Sequence, residues 1–115
     1  MNDKANKDAS KETANDVNDW KVIKLGKPIE YQGTEVREIN LSKMDDLTAQ
    51  DMNGTYDLYY TLGGNRQIMQ ESTLLFAQIL AHKVTGYPME VFERMNIRDA
   101  MRLKNRVYRF FFLEE

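Results

Sequence analysis

The stretch WKVIKLGKPIEYQGTEVREINL, residues 20–41, decides the fold class. Trp20–Leu25 is dense in β-formers, Gly26-Lys27-Pro28 interrupts it, and Ile29-Glu30-Tyr31 resumes an alternating pattern. Gln32-Gly33-Thr34 then carries a turn signal. In Glu35–Leu41, strict alternation puts Val36, Glu38 and Asn40 on one side and Arg37, Ile39 and Leu41 on the other. Two strand-like runs about a Gly-containing turn predict a β-hairpin. A lone hairpin is marginal in water, so its apolar side has to pack on helices.

Helical patterns follow. Ser42-Lys43-Met44-Asp45 has the signature of a helix start, with Ser42 as cap and Asp45 returning the bond. Asp46–Met52 reads as a weak helix that Asn53-Gly54 breaks or kinks. Tyr56–Leu62 is a second short helix or a continuation, and Gly63-Gly64 ends it. The clearest helix covers Arg66–Val84, where Ile68, Met69, Ser72, Leu75, Phe76, Ile79, Leu80 and Val84 recur at three- and four-residue steps. Gly86 suits its C-cap, and Pro88 suits the first turn of a short helix over Met89–Arg94. Asn96–Asp99 is a second capping pair. It opens a last helix to about Leu113, with Ile97, Ala100, Met101, Lys104, Val107, Tyr108 and Phe111 along one face. The expected fold is α+β and predominantly α: an N-terminal β-hairpin followed by a small bundle of three to four helices.

The composition fits one small domain of 115 residues. Residues 1–19 hold five apolar residues, none aromatic, and three lysines against five acids. Such a segment cannot offset its ordering entropy by burial, so it is expected to be a disordered polar tail. Residues 20–115 form the single hairpin-plus-helices domain. Their neutrality hides a gradient: Trp20–Gly63 has five basic and seven acidic residues, Gly64–Glu115 eight and six. With no Cys there is no disulfide framework, thiolate metal site or Cys nucleophile. A single His excludes a two-His metal site. No apolar run approaches the ~18 residues of a membrane span, and the first residues lack the apolar core of a secretion signal. A cytoplasmic protein without cofactor is the expectation.

Two features invite a functional reading. Arg94, Arg98, Arg102 and Arg106 fall at four-residue spacing, with Arg109 close to the same face. This basic ridge is a solvated face paired with Glu90, Glu93 and Asp99, a contact for an acidic protein surface, or a nucleic-acid stripe. Phe110-Phe111-Phe112-Leu113 surrounds every side of a helix, so one intramolecular face cannot bury all four. Exposed apolar clusters mark interfaces, and the other reading is a wide terminal helix buried in the domain's own core. Tyr108, Phe111, Phe112 and Leu113 are therefore the first partner-binding candidates, with Met89, Phe92 and Met95 second. His82 lies on the long helix with no nucleophile motif beside it and is read as a surface histidine. No catalytic, cofactor-binding or metal-binding residue is assigned.

The order of these pieces resembles the tail assembly chaperones of long-tailed bacteriophages, in particular the Mu-like group and its relatives in prophages of Gram-positive bacteria. The matching text starts with IKLGKPIEYQGTEVREINLSKMDDLTAQDM and continues through TGYPMEVFERMNIRDAMRL to the aromatic VYRFFF. Ser42-Lys43-Met44 stands where the family often has Pro-Thr. The resemblance implies a non-catalytic protein of the bacterial host cytoplasm that is absent from the mature virion. It implies binding of the tape measure protein, with the tail-tube protein as a further partner, and the excess apolar helix surface adds the expectation of a homo-oligomer. The resemblance also implies ribosomal slippage, for which the Phe110–Phe112 codons are suited. The rival readings are a small tail-completion protein retained in the virion and a nucleic-acid-binding regulator using the Arg ridge.

Overall fold

Gln32 and Gly33 both sit at positive φ, 52° and 79°. That makes a two-residue mirror-image turn, whose twist matches that of the strands it joins. The computed structural model describes residues 21–65 and 69–113. The expected tail over residues 1–19, Trp20, and the Arg66 and Ile68 positions of the long helix lie outside the described residues. Strands β1 (Val22–Tyr31) and β2 (Thr34–Asn40) pair antiparallel on either side of the turn.

The pairing is irregular where the sequence reads Gly-Lys-Pro. Register runs from Val22↔Asn40 to Lys24↔Glu38 and resumes at Ile29↔Val36, so Leu25–Pro28 bulges opposite Arg37. Pro28 has no N–H to give a ladder, which suits it to a bulge. The bulge corrects the expected alternation of β2. Val36 and Ile39, assigned to opposite sides, are both buried, because the shifted pairing turns the strand between them.

Helix α1 spans Ala49–Thr61. Its start is not at Ser42. Ser42–Asp46 is a short 3-10 turn without a side-chain cap, where Ser42 donates instead to the Asn40 side chain and Asp45 meets Lys21 at 2.7 Å. The reciprocal cap lies one turn later. Thr48 Oγ1 accepts from the Asp51 N–H at 3.2 Å, and Asp51 accepts from the Thr48 N–H at 2.9 Å. That N–H, then the Thr48 hydroxyl, holds the Asp51 carboxyl below its ordinary value. A helix capped this way runs through Asn53-Gly54 without a break, with Thr55 and Tyr59 buried behind it. It ends at Gly63-Gly64. A Cβ on Gly64 would overlap the Tyr59 ring, so the chain needs glycine there.

Helix α2 spans Leu74–Thr85, shorter than the apolar pattern suggested. Gln70–Ser72 forms a 3-10 turn, and Thr73 caps the helix by accepting from the Phe76 N–H. Its far end closes on Gly86 at φ 83°. Phe76, Ala77, Ile79, Leu80, Ala81 and Val84 are all buried, so α2 forms the middle of the core. It packs against α1, β2, the short helix α3 (Met89–Glu93) and the last helix α4 (Ile97–Phe112). His82 Nδ1 donates to the Tyr87 carbonyl at 2.7 Å and Gln78 Nε2 to the Phe92 carbonyl at 2.8 Å, which ties the Gly86–Pro88 joint to α2. Among the described residues the architecture is a hairpin and four α-helices, as the sequence implied.

Side chains of α4 and of the turn before it reach the outer edge of β1. Asn96 caps the helix by accepting from the Asp99 N–H at 2.8 Å, but Asp99 does not return the bond. Its carboxylate turns inward, 1% exposed, and accepts from the Gly26 N–H at 2.9 Å and the Lys27 N–H at 3.1 Å. Arg102 pairs with the same carboxylate. Arg94 donates to the Glu30 carbonyl at 2.9 Å, and Arg106 reaches the Val22 carbonyl at 3.5 Å. Burial pushes the Asp99 carboxyl up, but the Gly26 N–H, Arg102 and the Lys27 N–H outweigh it and hold it below its ordinary 3.8. Asp99→Ala is expected to cost about 2–4 kcal/mol in urea denaturation. A carboxylate with a lowered folded pKa stabilises above its unfolded value. The gap between wild type and Asp99→Asn should therefore narrow as pH falls below 3.8. A gap that widens in acid would contradict this role.

Candidate functional site

The inward turn of Asp99 fixes how α4 is rotated about its axis. Asp99, Ala100, Leu103 and Val107 are buried. This face is turned by about a quarter of a turn from the expected one. Ile97 and Met101, expected on one face with Ala100 and Val107, are 68% and 36% exposed. At 100° per residue, Ile97, Met101, Tyr108 and Phe112 fall on one outward strip, with the stem of Lys104 at its margin. Arg98, Arg102 and Arg109 lie beside that strip on one flank.

The C-terminal candidates divide. Phe112 and Leu113 are 39% and 57% exposed. Tyr108 is half-buried, its ring 4.9 Å from that of Phe112. Phe111 is half-buried and turned inward, edge-on to Phe76 at 6.1 Å and to Phe110 at 5.3 Å. That places it at the margin of the aromatic group of Tyr56, Tyr59 and Phe76. Tyr56 also bonds the Glu71 carboxylate, which together with burial pushes its phenol up to about 12.

The second group of candidates belongs to the core. Phe92 is fully buried and Met95 is 9% exposed, because α3 is too short to show an outer apolar face once Val91 and Phe92 pack beneath it. Met89 is half-buried against the same core. These three are not brought together with Phe112 and Leu113 into one surface.

The basic ridge divides too. Arg94 and Arg106 hold carbonyls of β1, and Arg102 neutralises Asp99. Arg98 and Arg109 are exposed and pair with no described residue. A shallow groove of about 580 Å³ opens between the β1 bulge and the start of α4. Gly26, Asn96, Ile97 and Met101 line it, with Arg98 and Arg102 at its rim. Among the described residues no group of three His, Asp or Glu side chains is placed to hold a metal, and no helix is long and apolar enough to cross a membrane. The outer surface of α4 presents an apolar strip with a cationic flank.

A family model described as phage tail assembly chaperone proteins, E, or 41 or 14, matches residues 22–111. The chain belongs to this family. No curated protein and no solved structure matches it. The matched residues start at the first residue of β1 and end in the last turn of α4, so they include the Asp99 contact with the bulge. Ile97 and Met101 of the chaperone were missed as surface residues. The signal available was Asp99 itself: a helix buries few carboxylates without a partner, and the Gly-Lys dipeptide before Pro28 offers two free N–H groups.

The division between core and surface has a direct check. Phe92→Ala in the chaperone is expected to cost about 3–5 kcal/mol. Phe112→Ala and Ile97→Ser should each stay within about 1 kcal/mol of wild type in the same denaturation series. Equal losses at Phe92 and Phe112 would place Phe112 in the core.

Proposed function

We propose that this chaperone binds the phage tape measure protein during tail assembly, without catalysis, by reversible capture of apolar segments on the outer face of α4. The observation that carries the reading is the exposed apolar end of that helix, Phe112 and Leu113 beside Tyr108. Burying one such side chain in a partner contributes about 1.5–3 kcal/mol. A few such contacts give a complex that holds an aggregation-prone chain yet can be released. Membership of the tail assembly chaperone family supports the class of partner. Capture would take place in the host cytoplasm, with the chaperone leaving before the virion is complete. The tail-tube protein is a further partner in this reading.

The electrostatics favour a protein partner over nucleic acid. Three of the five ridge arginines are engaged with β1 or Asp99, which leaves Arg98 and Arg109 as outward cations.

Co-expression with the tape measure protein of the same phage tests the proposal. Wild-type chaperone should co-purify with it and keep it soluble. The double variant Phe112→Asp, Leu113→Asp should recover at least about tenfold less while melting at the same temperature. Undiminished recovery would remove these residues from the site. Mass spectrometry of purified virions should find no chaperone, and stoichiometric amounts there would favour a structural tail protein.

A further inference from the structure

The outward strip of α4 has a second apolar end that the aromatic cluster does not explain. Ile97 is the most exposed of the large apolar side chains among the described residues, and with Met101 it overhangs the groove beside the β1 bulge. From Ile97 to Phe112 the strip is about 22 Å long and one helix wide. The only acidic residue of α4 along that length, Asp99, is turned inward, away from the strip. Its flank carries Arg98 and Arg109, both exposed and pairing with no described residue.

We propose that this strip docks an amphipathic helix of about four turns whose apolar face is bordered by acidic side chains. One apolar residue would enter the groove between Ile97, Met101 and Gly26, and another would meet Tyr108 and Phe112. The carboxylates would lie against Arg98 and Arg109. Three features carry this. The strip lies on one uninterrupted helix and is as narrow as a single helix–helix seam. Its two ends each present an apolar anchor, separated by a spacing that one rigid helix spans and a short loop does not. The outward charges on its flank, Arg98 near one end and Arg109 near the other, are both cationic, which selects the opposite sign in the occupant. The inference deepens the reading of the chaperone as a capture surface: it assigns the chemistry of the captured segment and extends the footprint to the start of α4.

The probe is a fluorescein-labelled 18-residue helical peptide with leucines at heptad spacing and glutamates beside them, measured by anisotropy against the full chain. A control peptide carries lysines in place of the glutamates. The glutamate peptide should bind at least about tenfold tighter than the control at low salt. Ile97→Ser with Met101→Ser should weaken it at least about tenfold at unchanged melting temperature. Arg98→Glu with Arg109→Glu should reverse the preference between the two peptides. Equal binding of both peptides, or insensitivity to the Ile97 and Met101 substitutions, would overturn the proposal. So would sedimentation showing a dimer that Ile97→Ser dissociates and the peptide does not, since a second copy would then occupy the strip. Binding of phosphatidylserine vesicles without binding of the peptide would also overturn it. The two readings fail separately. If the tape measure protein is lost on Phe112 and Leu113 substitution but not on Ile97 and Met101 substitution, capture stands and the extended footprint falls. If the acidic peptide binds and the tape measure protein does not co-purify, the surface chemistry stands and the partner is wrong.

Discussion

The Asp99 carboxylate against the Gly26 and Lys27 N–H groups is the contact on which the arrangement depends. A two-stranded hairpin leaves two open edges, and its strands are too few to hold their shape unaided. At β1 the open edge is worse than usual, because the bulge turns consecutive N–H groups out of the ladder. Asp99 satisfies two of them with one buried charge, and Arg102 balances that charge. Arg94 and Arg106 then satisfy carbonyls toward the two ends of the strand. Strand β1 is thereby latched at three points, two from α4 and one from the turn before it, with Ile23, Leu25, Leu103 and Val107 buried in the core that the latch closes over.

A latch of this kind also sets the rotation of α4. A helix with one apolar stripe turns that stripe inward and shows a polar face. Here the residues outside the buried stripe include a second, thinner apolar line. Since Asp99 must face β1, that second line must face outward. The same contact that stabilises the hairpin therefore creates the exposed strip. It also explains why a ridge of regularly spaced arginines is not one functional unit: Arg94, Arg102 and Arg106 serve the fold, while Arg98 and Arg109 face outward.

Much of this was legible in the residues. The hairpin, its turn, the Gly86 stop, the short helix after Pro88 and the Asn96 start of the last helix follow from local chemistry, which tertiary packing did not override. Where the reading failed, a local signal had a competitor elsewhere. Ser42 and Asp45 spelled a cap, but Asn40 and Lys21 took their side chains, and Thr48 and Asp51 formed the box instead. At Asn53-Gly54 the residues left a break, a kink or a continuation open, and a firmly capped helix with Thr55 and Tyr59 buried on one side carries through. Asp99 looked like a capping residue, yet it bonds residues more than seventy positions away. Periodicity along the sequence cannot reveal such a partner. That long-range contact decides which part of the α4 apolar face is buried, and it leaves Ile97 and Met101 outside. Phe112 and Leu113 were legible as surface because four adjacent large apolar residues cannot share one face. Phe92 and Met95 were misread because burial beneath α2 depends on how the joint at Gly86–Pro88 folds back.

The central claim is that one side of α4 holds the hairpin while the other meets the partner. The chain contains no cysteine, so a single introduced thiol can carry a photo-crosslinker to a chosen position. Placed in turn at Met101, Tyr108, Asp57 on α1 and Glu35 on β2, it reports which surface lies against the co-expressed tape measure protein. The account predicts crosslinks from Met101 and Tyr108 and none above background from Asp57 or Glu35. Crosslinks confined to Asp57 or Glu35 would contradict it.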